Sequence, residues 1–300
     1  MSNAIVPAAL LGSLPPLERT AIGYLADYEG NTRALYESHF NRWLTWCREH
    51  GIDPLRIDRA HISLYVRELH EVRGLKASTV NTMFRPVKGF YRYAFLEGVT
   101  DRDPAVHVRL PKVDYGKKSP LEREELRAFR RAAKELGGRH WALSELLCLH
   151  GLRISEACSI DVDDYSDVER GHPILRVKRK GGKVVGLPLP VALLLALQDA
   201  AGDRTQGPLL TTRDGRRLHR STAAGLVRTI AKRAGITRPI NPHLIRASLI
   251  TSQLDDGMTI RDAQWLAGHA DPRTTSRHYD LGMSNHDKHP VHIVSARLTA

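Results

Sequence analysis

The sequence is short of cysteine, of aromatic residues and of long apolar runs, and each shortage excludes a class of protein. Its three cysteines, Cys47, Cys148 and Cys158, form no C-x-x-C pair, so we expect a reducing cytoplasm and no disulfide framework or cysteine zinc site. Aromatic residues make up only 6%, which disfavours a stacking platform for single-stranded nucleic acid. The longest apolar stretch, residues 187–197, contains two prolines and is too short to cross a bilayer. Residues 1–14 lack the basic start of a signal peptide.

Acidic residues are outnumbered as well. The 300 residues include 45 Lys and Arg against 33 Asp and Glu, a formal charge of +12. Such a charge favours a polyanionic partner, with nucleic acid ahead of an anionic membrane. A charged fraction of 26% and a hydrophobic fraction of 42% are ordinary for globular proteins, and the length predicts about two domains.

Residues 17–98 have the apolar spacing of helices and follow a small apolar arm, residues 1–16. Asn31 and Thr32 are predicted to cap one helix. A further helix is predicted from Ser78, and its basic residues, three and four positions apart, should share one exposed face. These residues are Arg85, Lys88 and Arg92. Together with the net charge they predict a helical DNA-binding domain, with a plain solvated face as the alternative.

Residues 99–118 are rich in charged and turn-forming residues and are predicted to be an interdomain linker. Ser119, Pro120 and Glu122 then match a capping box, with Ser119 as the N-cap of a helix. The region 119–279 mixes helices with two short β runs around a Gly-Gly pair, which is a hairpin signal. We therefore expect a multi-domain, mainly α protein whose second domain is α+β with a small antiparallel sheet.

Two helices of the second region bear on function. One is predicted at residues 221–234, and basic residues lie along one of its sides. These are Arg220, Arg228 and Lys232, which we expect to contact DNA phosphates more than bases. The other should begin with Asn241 as N-cap and Pro242 at its first position.

Five short segments carry the groups that could do chemistry. In chain order they are Gly151-Leu-Arg153-Ile-Ser-Glu156, the hairpin with Lys180, His243-Leu-Ile-Arg246, Leu266-Ala-Gly-His269 and Arg277-His-Tyr279. No segment is specific alone, but their order, with the tyrosine ten residues after the Gly-His pair, resembles the tyrosine recombinase (phage-type integrase) family. The resemblance covers about residues 119–279 and, more weakly, the helical region before them, which is similar to the family's core-binding domain. It implies a C-shaped clamp on duplex DNA.

These residue types also suit phosphodiester chemistry on general grounds. Attack on a phosphodiester builds charge on two non-bridging oxygens, and the permanently charged guanidinium of arginine can stabilise that charge with two hydrogen bonds. A tyrosine is a competent covalent nucleophile once it loses its proton. A lysine on a hairpin can protonate the leaving 5′-oxygen. Neither a metal nor another cofactor is expected.

The resemblance implies how the reaction proceeds. Tyr279 would attack the scissile phosphate and form a 3′-phosphotyrosyl bond, while Lys180 would protonate the leaving 5′-oxygen. Because that bond preserves the energy of the phosphodiester, a second strand's 5′-hydroxyl could reseal it without ATP or metal. Lys178, Arg179 and Lys183 stay open as substitutes for Lys180, and all four could instead form a turn that binds the DNA backbone.

The resemblance also implies how the phosphate is held. Arg153 and Arg246 would clamp it, and His269 would donate a hydrogen bond to it. His243, three residues before Arg246 and on the same helical face, would act as an acid or base near the tyrosine. Glu156 corresponds to a supporting carboxylate that orients its neighbours.

Two positions depart from the common family pattern. Ala247 stands where many members have a basic residue, and Ala267 where leucine is common, but neither change removes a catalytic group. The resemblance implies that the tail, residues 280–300, docks on a neighbouring subunit. Four histidines in and just before the tail could form a metal site, but a solvated or docking tail is favoured because a proline interrupts them. They are His278, His286, His289 and His292.

The implied protein is a site-specific DNA recombinase or integrase. It would act as a homo-tetramer on double-stranded DNA at specific recombination sites, in the cytoplasm and away from any membrane, with an accessory directionality factor as a further candidate partner. Three alternatives stay open: a type IB topoisomerase, a DNA-binding regulator that uses Tyr279 only for packing, and a metal-dependent nuclease. Phage integration, transposon movement and chromosome-dimer resolution are not distinguished.

Overall fold

The structure, a computed structural model, describes residues 11–114, 119–179 and 182–268. The chain divides into two compact units, Met1–Gly116 and Lys117–Ala300. The described residues are mainly helical, and the second unit contains a three-stranded antiparallel sheet. The predicted fold class, a multi-domain and mainly α protein with a small antiparallel sheet, is confirmed.

The first unit is a set of helices around an aromatic core. Its elements are α1 (Pro16–Ala26), α2 (Gly30–Glu49), α3 (Arg59–Arg67), a π-helical turn (Glu68–Val72) and α4 (Ala77–Leu96). The apolar positions of α2 and α4 recur every three or four residues, so each helix turns one stripe inward. Phe40, Trp43 and Tyr91 are fully buried there, and Trp43 packs edge-on against Tyr91. The helix predicted from Ser78 begins one residue earlier, and it continues through Pro86.

The predicted cap at Asn31 and Thr32 is wrong. Helix α2 begins at Gly30, and Glu29, in an extended conformation, is its N-cap residue. Only residues 27–29 separate α1 from α2, so the second helix begins before the predicted cap. Its first residue, Gly30, has a φ of 53°, a conformation that glycine adopts without steric cost.

Two glycines allow α1 and α4 to approach closely. Gly23 of α1 lies against the hydroxyl of Tyr93 on α4, and Gly89 of α4 lies against the hydroxyl of Tyr24 on α1. A Cβ at Gly89 would overlap the ring of Tyr24, which is almost fully buried. The two helices therefore pack through a reciprocal pair of glycine-to-tyrosine contacts.

The segment predicted as a linker begins on the first unit. Ala105 is buried in its core, and Val108 and Leu110 pack against the same cluster. The Asp103 side chain accepts the backbone N–H of Ala105 at 2.9 Å, which fixes the turn locally. Residues 115–118 of the predicted linker lie outside the described residues, as do residues 1–10 of the predicted arm.

The second unit packs its helices around the sheet. Its elements are α5 (Arg123–Leu136), α6 (Gly138–Cys148), α7 (Ile154–Ser159), a 3-10 turn (Val162–Tyr165), β1 (Asp167–Glu169), β2 (His172–Lys178), β3 (Val184–Pro188), α8 (Val191–Ala201), α9 (Arg220–Arg233), α10 (Pro242–Asp255) and α11 (Ile260–Ala267). The strands are in the order β1-β2-β3 and both pairings are antiparallel. The predicted hairpin is confirmed, with Ile174 opposite Pro188 and Lys178 opposite Val184.

The predicted capping box at Ser119 is wrong. Helix α5 begins at Arg123, and its capping box joins Glu122 with Glu125. Tertiary contacts hold the preceding residues in place instead: the buried Leu121 donates its N–H to Ser248 Oγ at 2.6 Å. The carbonyl of Ser119 accepts a 2.6 Å bond from Arg238. These long-range bonds outweigh the local capping preference.

The apolar stretch at residues 187–197 is divided between two elements. It contains the end of β3 and the first part of α8, and Pro190 is the N-cap of that helix. Leu193 and Leu197 of α8 are buried in the core of the second unit. Among the described residues, no helix has both the length and the apolar character needed to cross a membrane.

Candidate active site

Arg153 is placed by the turn between α6 and α7. Gly151 takes a φ of 56°, which ends the preceding turn, and Arg153 is the N-cap of α7. Its backbone N–H donates to Glu156 Oε2 at 2.9 Å, and its Nη1 donates to Glu156 Oε1 at 2.7 Å. Glu156 is buried, so one carboxylate both caps the short helix and holds the arginine head group in place.

Arg246 reaches the same place from α10. The predicted start of that helix is confirmed: Asn241 is its N-cap and accepts the N–H of Leu244 at 2.9 Å. Arg246 is 3% exposed, and its guanidinium donates to the carbonyls of Gly151 and Ala267. Burial and the nearby positive charges of Arg153 and Arg179 lower the pKa of Arg246 to about 10. That value still leaves it almost entirely charged at neutral pH.

The carboxyl end of α11 supplies the acceptors for these cations. Ala267 is the last residue of α11 and Gly268 is its C-cap, in the left-handed conformation. Arg153 Nη2 lies 3.5 Å from the carbonyl of Gly268, and Arg179 Nη1 donates to the carbonyl of Ala267 at 3.1 Å. Carbonyls at the C-terminus of a helix carry partial negative charge and favour cations. The described part of the Gly-His segment therefore binds arginine head groups.

The cluster has more positive than negative charge. Among the described residues, Arg153, Arg179 and Arg246 carry three positive charges around one carboxylate, that of Glu156, whose Oε2 lies 3.8 Å from Arg179. Buried charges without matching partners are costly, so this arrangement favours an anion. Guanidinium groups that point at one small volume suit the paired oxygens of a phosphate.

Arg179 is the member of this cluster that the sequence does not distinguish from its neighbours. It lies among the lysines of the hairpin turn, yet its side chain is only 10% exposed. Lys178, immediately before it, is exposed. The available signal was that Arg179 is next to Lys180 in the sequence, but the pattern of charges does not tell a buried arginine from a solvated one.

Of the other predicted catalytic residues, the structure describes only His243. His243 is exposed at the second position of α10, one turn before Arg246, as the spacing predicts. Lys180, His269 and Tyr279 lie outside the described residues, as does the tail, residues 280–300. Their roles stay predictions.

Both departures from the common family pattern lie at buried positions. Ala247 is 8% exposed and belongs to the buried side of α10. A lysine or arginine there would have to bring its charge into the packed interior, which is unfavourable without a partner. Ala267 is likewise buried, and it packs in a small cluster with Ile250 and Ala263.

The residues predicted to contact DNA are exposed on two helices. On α4 they are Arg85, Lys88 and Arg92, and on α9 they are Arg220, Arg228 and Lys232. In both helices the opposite side is buried. Arg228 and Lys232 also line a groove of about 450 Å³ with residues 235–240. Both faces are accessible to a large polyanion.

No group of three or more His, Cys, Asp or Glu side chains within the described ranges is arranged to hold a metal ion. The histidines of the alternative metal site, His278, His286, His289 and His292, lie outside those ranges. Within the described residues the site contains three arginine head groups, a buried carboxylate and the exposed His243.

Two sequence-family profiles match the chain, one on each unit. The profile described as "Phage integrase family" matches residues 120–284. The profile described as "Phage integrase, N-terminal SAM-like domain" matches residues 24–98.

Individual proteins match over most of the chain. The tyrosine recombinase XerD of Mycobacterium leprae is 32% identical over 271 residues, which are 82% of this chain and 85% of that protein. The XerD protein of Chlorobaculum tepidum is 28% identical, over 84% of this chain and 87% of that protein. A crystal structure of a lambda integrase tetramer bound to a Holliday junction has the same fold, with a TM-score of 0.68, 19% identity and coverage of 92% of this chain and 78% of that one.

Proposed function

The chain belongs to the phage integrase family and is a site-specific DNA recombinase, and on that premise we propose that its arginine cluster is the clamp for the scissile phosphate. The observation that supports the proposal is the meeting of Arg153 and Arg246 at the end of α11. Their head groups, with that of Arg179, outnumber the carboxylate of Glu156. A phosphodiester supplies the missing negative charge.

In the proposed reaction each group either attacks phosphorus, stabilises negative charge or transfers a proton. Tyr279 attacks phosphorus through its phenolate oxygen, and the bond from phosphorus to the 5′-oxygen breaks. Arg153 and Arg246 stabilise the charge on the non-bridging oxygens, since they are already oriented and need no rearrangement. Lys180 gives its proton to the departing 5′-oxygen.

The remaining groups support that step. His243, exposed one turn before Arg246, serves as the acid or base for the tyrosine proton, and His269 donates a hydrogen bond to the phosphate. Glu156 acts through the arginines, because it contacts Arg153 and lies near Arg179. The phosphotyrosyl bond is then attacked by the 5′-hydroxyl of another strand, which reseals DNA without metal or ATP.

Duplex DNA at specific sites is the proposed substrate, and the exposed basic faces of α4 and α9 are proposed to bind its backbone. The two domains, residues 17–98 and 119–279, are proposed to form a clamp on the duplex. The active form is proposed to be a homo-tetramer, because strand exchange between two duplexes requires four cuts, and the similar lambda integrase is a tetramer on a Holliday junction. We also propose a cytoplasmic location and an accessory directionality factor.

The test compares the wild-type protein with Tyr279→Phe on duplexes tiled from the DNA flanking the coding sequence, with chelator present and ATP absent. The tightest-bound duplex is then assayed for strand transfer between two copies of the site. Tyr279→Phe should bind with unchanged affinity and lose all strand transfer, because phenylalanine keeps the ring and lacks the attacking oxygen.

Tyr165→Phe is the matched control, since Tyr165 packs against the core of the second unit. It should bind and transfer strands like the wild type. Strand transfer by Tyr279→Phe would contradict the assignment of the nucleophile, and loss of wild-type activity in chelator would contradict metal independence. Relaxation of a single-site circle without exchange between two sites would indicate topoisomerase activity.

A further inference from the structure

We propose that Arg179 is a positioning residue for proton transfer by Lys180: it fastens the root of the β2–β3 loop to the carboxyl end of α11, beside the phosphate clamp. The inference rests on the proposed function, in which Lys180 protonates the leaving oxygen. Arg179 is not among the catalytic residues that the five sequence segments supply.

The side chain of Arg179 is held more firmly than its place at the end of a strand suggests. It is 10% exposed, although Lys178 beside it is exposed. Its Nη1 donates to the carbonyl of Ala267 at 3.1 Å and lies 3.8 Å from Glu156 Oε2. Both contacts belong to the site, since Ala267 also accepts from Arg246 and Glu156 from Arg153. The end of β2 is thus tied to the groups that hold the clamp.

The end of α11 is shaped to receive this guanidinium. A Cβ at position 268 would overlap the guanidinium of Arg179. Gly268 also has a φ of 58°, which other residues adopt only with strain. The glycine therefore serves both to end the helix and to leave room for Arg179.

The backbone of Arg179 closes the loop that contains Lys180. Its N–H donates to the carbonyl of Lys183 at 2.8 Å, and its carbonyl accepts the N–H of Gly182 at 3.1 Å. Lys180 follows Arg179 directly in the sequence, and adjacent Cα atoms are about 3.8 Å apart. By binding the carboxyl end of α11, the side chain of Arg179 therefore fixes the chain at the position immediately before the lysine.

The test separates proton transfer from phosphate binding by changing the leaving atom. In one duplex the scissile 5′-oxygen is kept, and in the other it is replaced by sulfur. A thiol is a far stronger acid than an alcohol, so a thiolate departs without receiving a proton. The variants are Arg179→Gln and Lys180→Ala, with Arg176→Gln as the matched control, because Arg176 is an exposed arginine of β2, three residues before Arg179, and pairs with Glu169.

Arg179→Gln should cleave the oxygen duplex at least about 100-fold more slowly than the wild type, which is the lower end of the contribution of a general acid. It should cleave the sulfur duplex at a rate within about threefold of the wild type, and Arg176→Gln should match the wild type on both. If Arg179→Gln does not fold, as judged by its melting curve, Arg179→Lys carries the same comparison.

Equal losses on the two duplexes, or no loss on either, would overturn the proposal, because Arg179 would then act on the phosphate or not at all. Lys180→Ala separates this failure from failure of the proposed function. If Lys180→Ala is equally slow on both duplexes, Lys180 is not the proton donor, whatever Arg179 does. If Lys180→Ala is slow only on the oxygen duplex while Arg179→Gln is unaffected, the donor is correct and only the positioning role is wrong.

Discussion

Glu156→Gln removes the negative charge from the centre of the arginine cluster and changes the shape of the side chain little. The amide oxygen can still accept the backbone N–H of Arg153, so the cap of α7 should survive. The 2.7 Å ion pair with Arg153 and the 3.8 Å approach to Arg179 are lost. Three guanidinium groups then remain without a carboxylate between them.

The size of the effect follows from distance and burial. Two unit charges 4 Å apart interact by about 4 kcal/mol at an effective dielectric constant of about 20, and breaking a buried pair costs about 3–5 kcal/mol. The Glu156 side chain is 4% exposed, but that of Arg153 is 36% exposed, which reduces the interaction through solvent screening. We therefore expect a loss of about 2–4 kcal/mol in the free energy of unfolding, or a melting temperature about 5–15 °C lower.

The assay is thermal unfolding of Glu156→Gln at pH 7, with and without sulfate as a tetrahedral anion. Glu169→Gln is the matched control, because Glu169 also pairs with an arginine but is 53% exposed, so its loss should be below about 1 kcal/mol. Sulfate should raise the melting temperature of Glu156→Gln more than that of the wild type, because the anion replaces the lost charge. Equal shifts for the two glutamine variants would refute the burial argument, and an absent sulfate effect would refute the anion site.

Two further predictions concern packing and pH. Gly89→Ala should lower the free energy of unfolding by about 1–3 kcal/mol, because its Cβ meets the buried Tyr24, and it should cost less in a Tyr24→Phe background. Gly225→Ala should instead stabilise by up to about 1 kcal/mol in urea unfolding, because its Cβ would meet the end of the Arg228 side chain at 3.7 Å, an ordinary contact distance. Burial, with the charge of Arg179, lowers the pKa of His150 from 6.5 to about 4, so the unfolded chain binds this proton first as pH falls. Stability from this group is complete above pH 6.5 and should fall by about 2 kcal/mol between pH 7.5 and 5; an equally large fall in His150→Gln would contradict that origin.

Local signals predicted the fold where no long-range contact competes with them. The cap at Asn241, the hairpin around the Gly-Gly pair and the exposed face of α4 all depend on neighbouring residues and on helix or strand periodicity. The prediction of a cap at Ser119 was wrong because contacts with Arg238 and Ser248, more than 100 residues away, hold residues 119–121 outside the helix. Strand β1, only three residues long, was not predicted because its polar residues show no β pattern.

The residues of the site also fall into those that the local sequence identifies and those that it does not. Arg153, His243 and Arg246 could be chosen from the sequence because their segments match a known order, and two of them prove to meet at the end of α11. Arg179 could not be chosen, because its burial depends on a carbonyl and a glycine almost 90 residues later in the chain. An arginine beside lysines in a turn has the same local sequence whether its head group is solvated or bound.

The proposed chemistry is tested most directly by finding which residue of the protein becomes attached to DNA. The wild-type protein is incubated, in chelator and without ATP, with a nicked form of its tightest-bound duplex, and the SDS-resistant adduct is digested and mapped by mass spectrometry. We expect a 3′-phosphate linked to the oxygen of Tyr279. An adduct on any other residue, or cleavage of that duplex without an adduct, would contradict Tyr279 as the nucleophile.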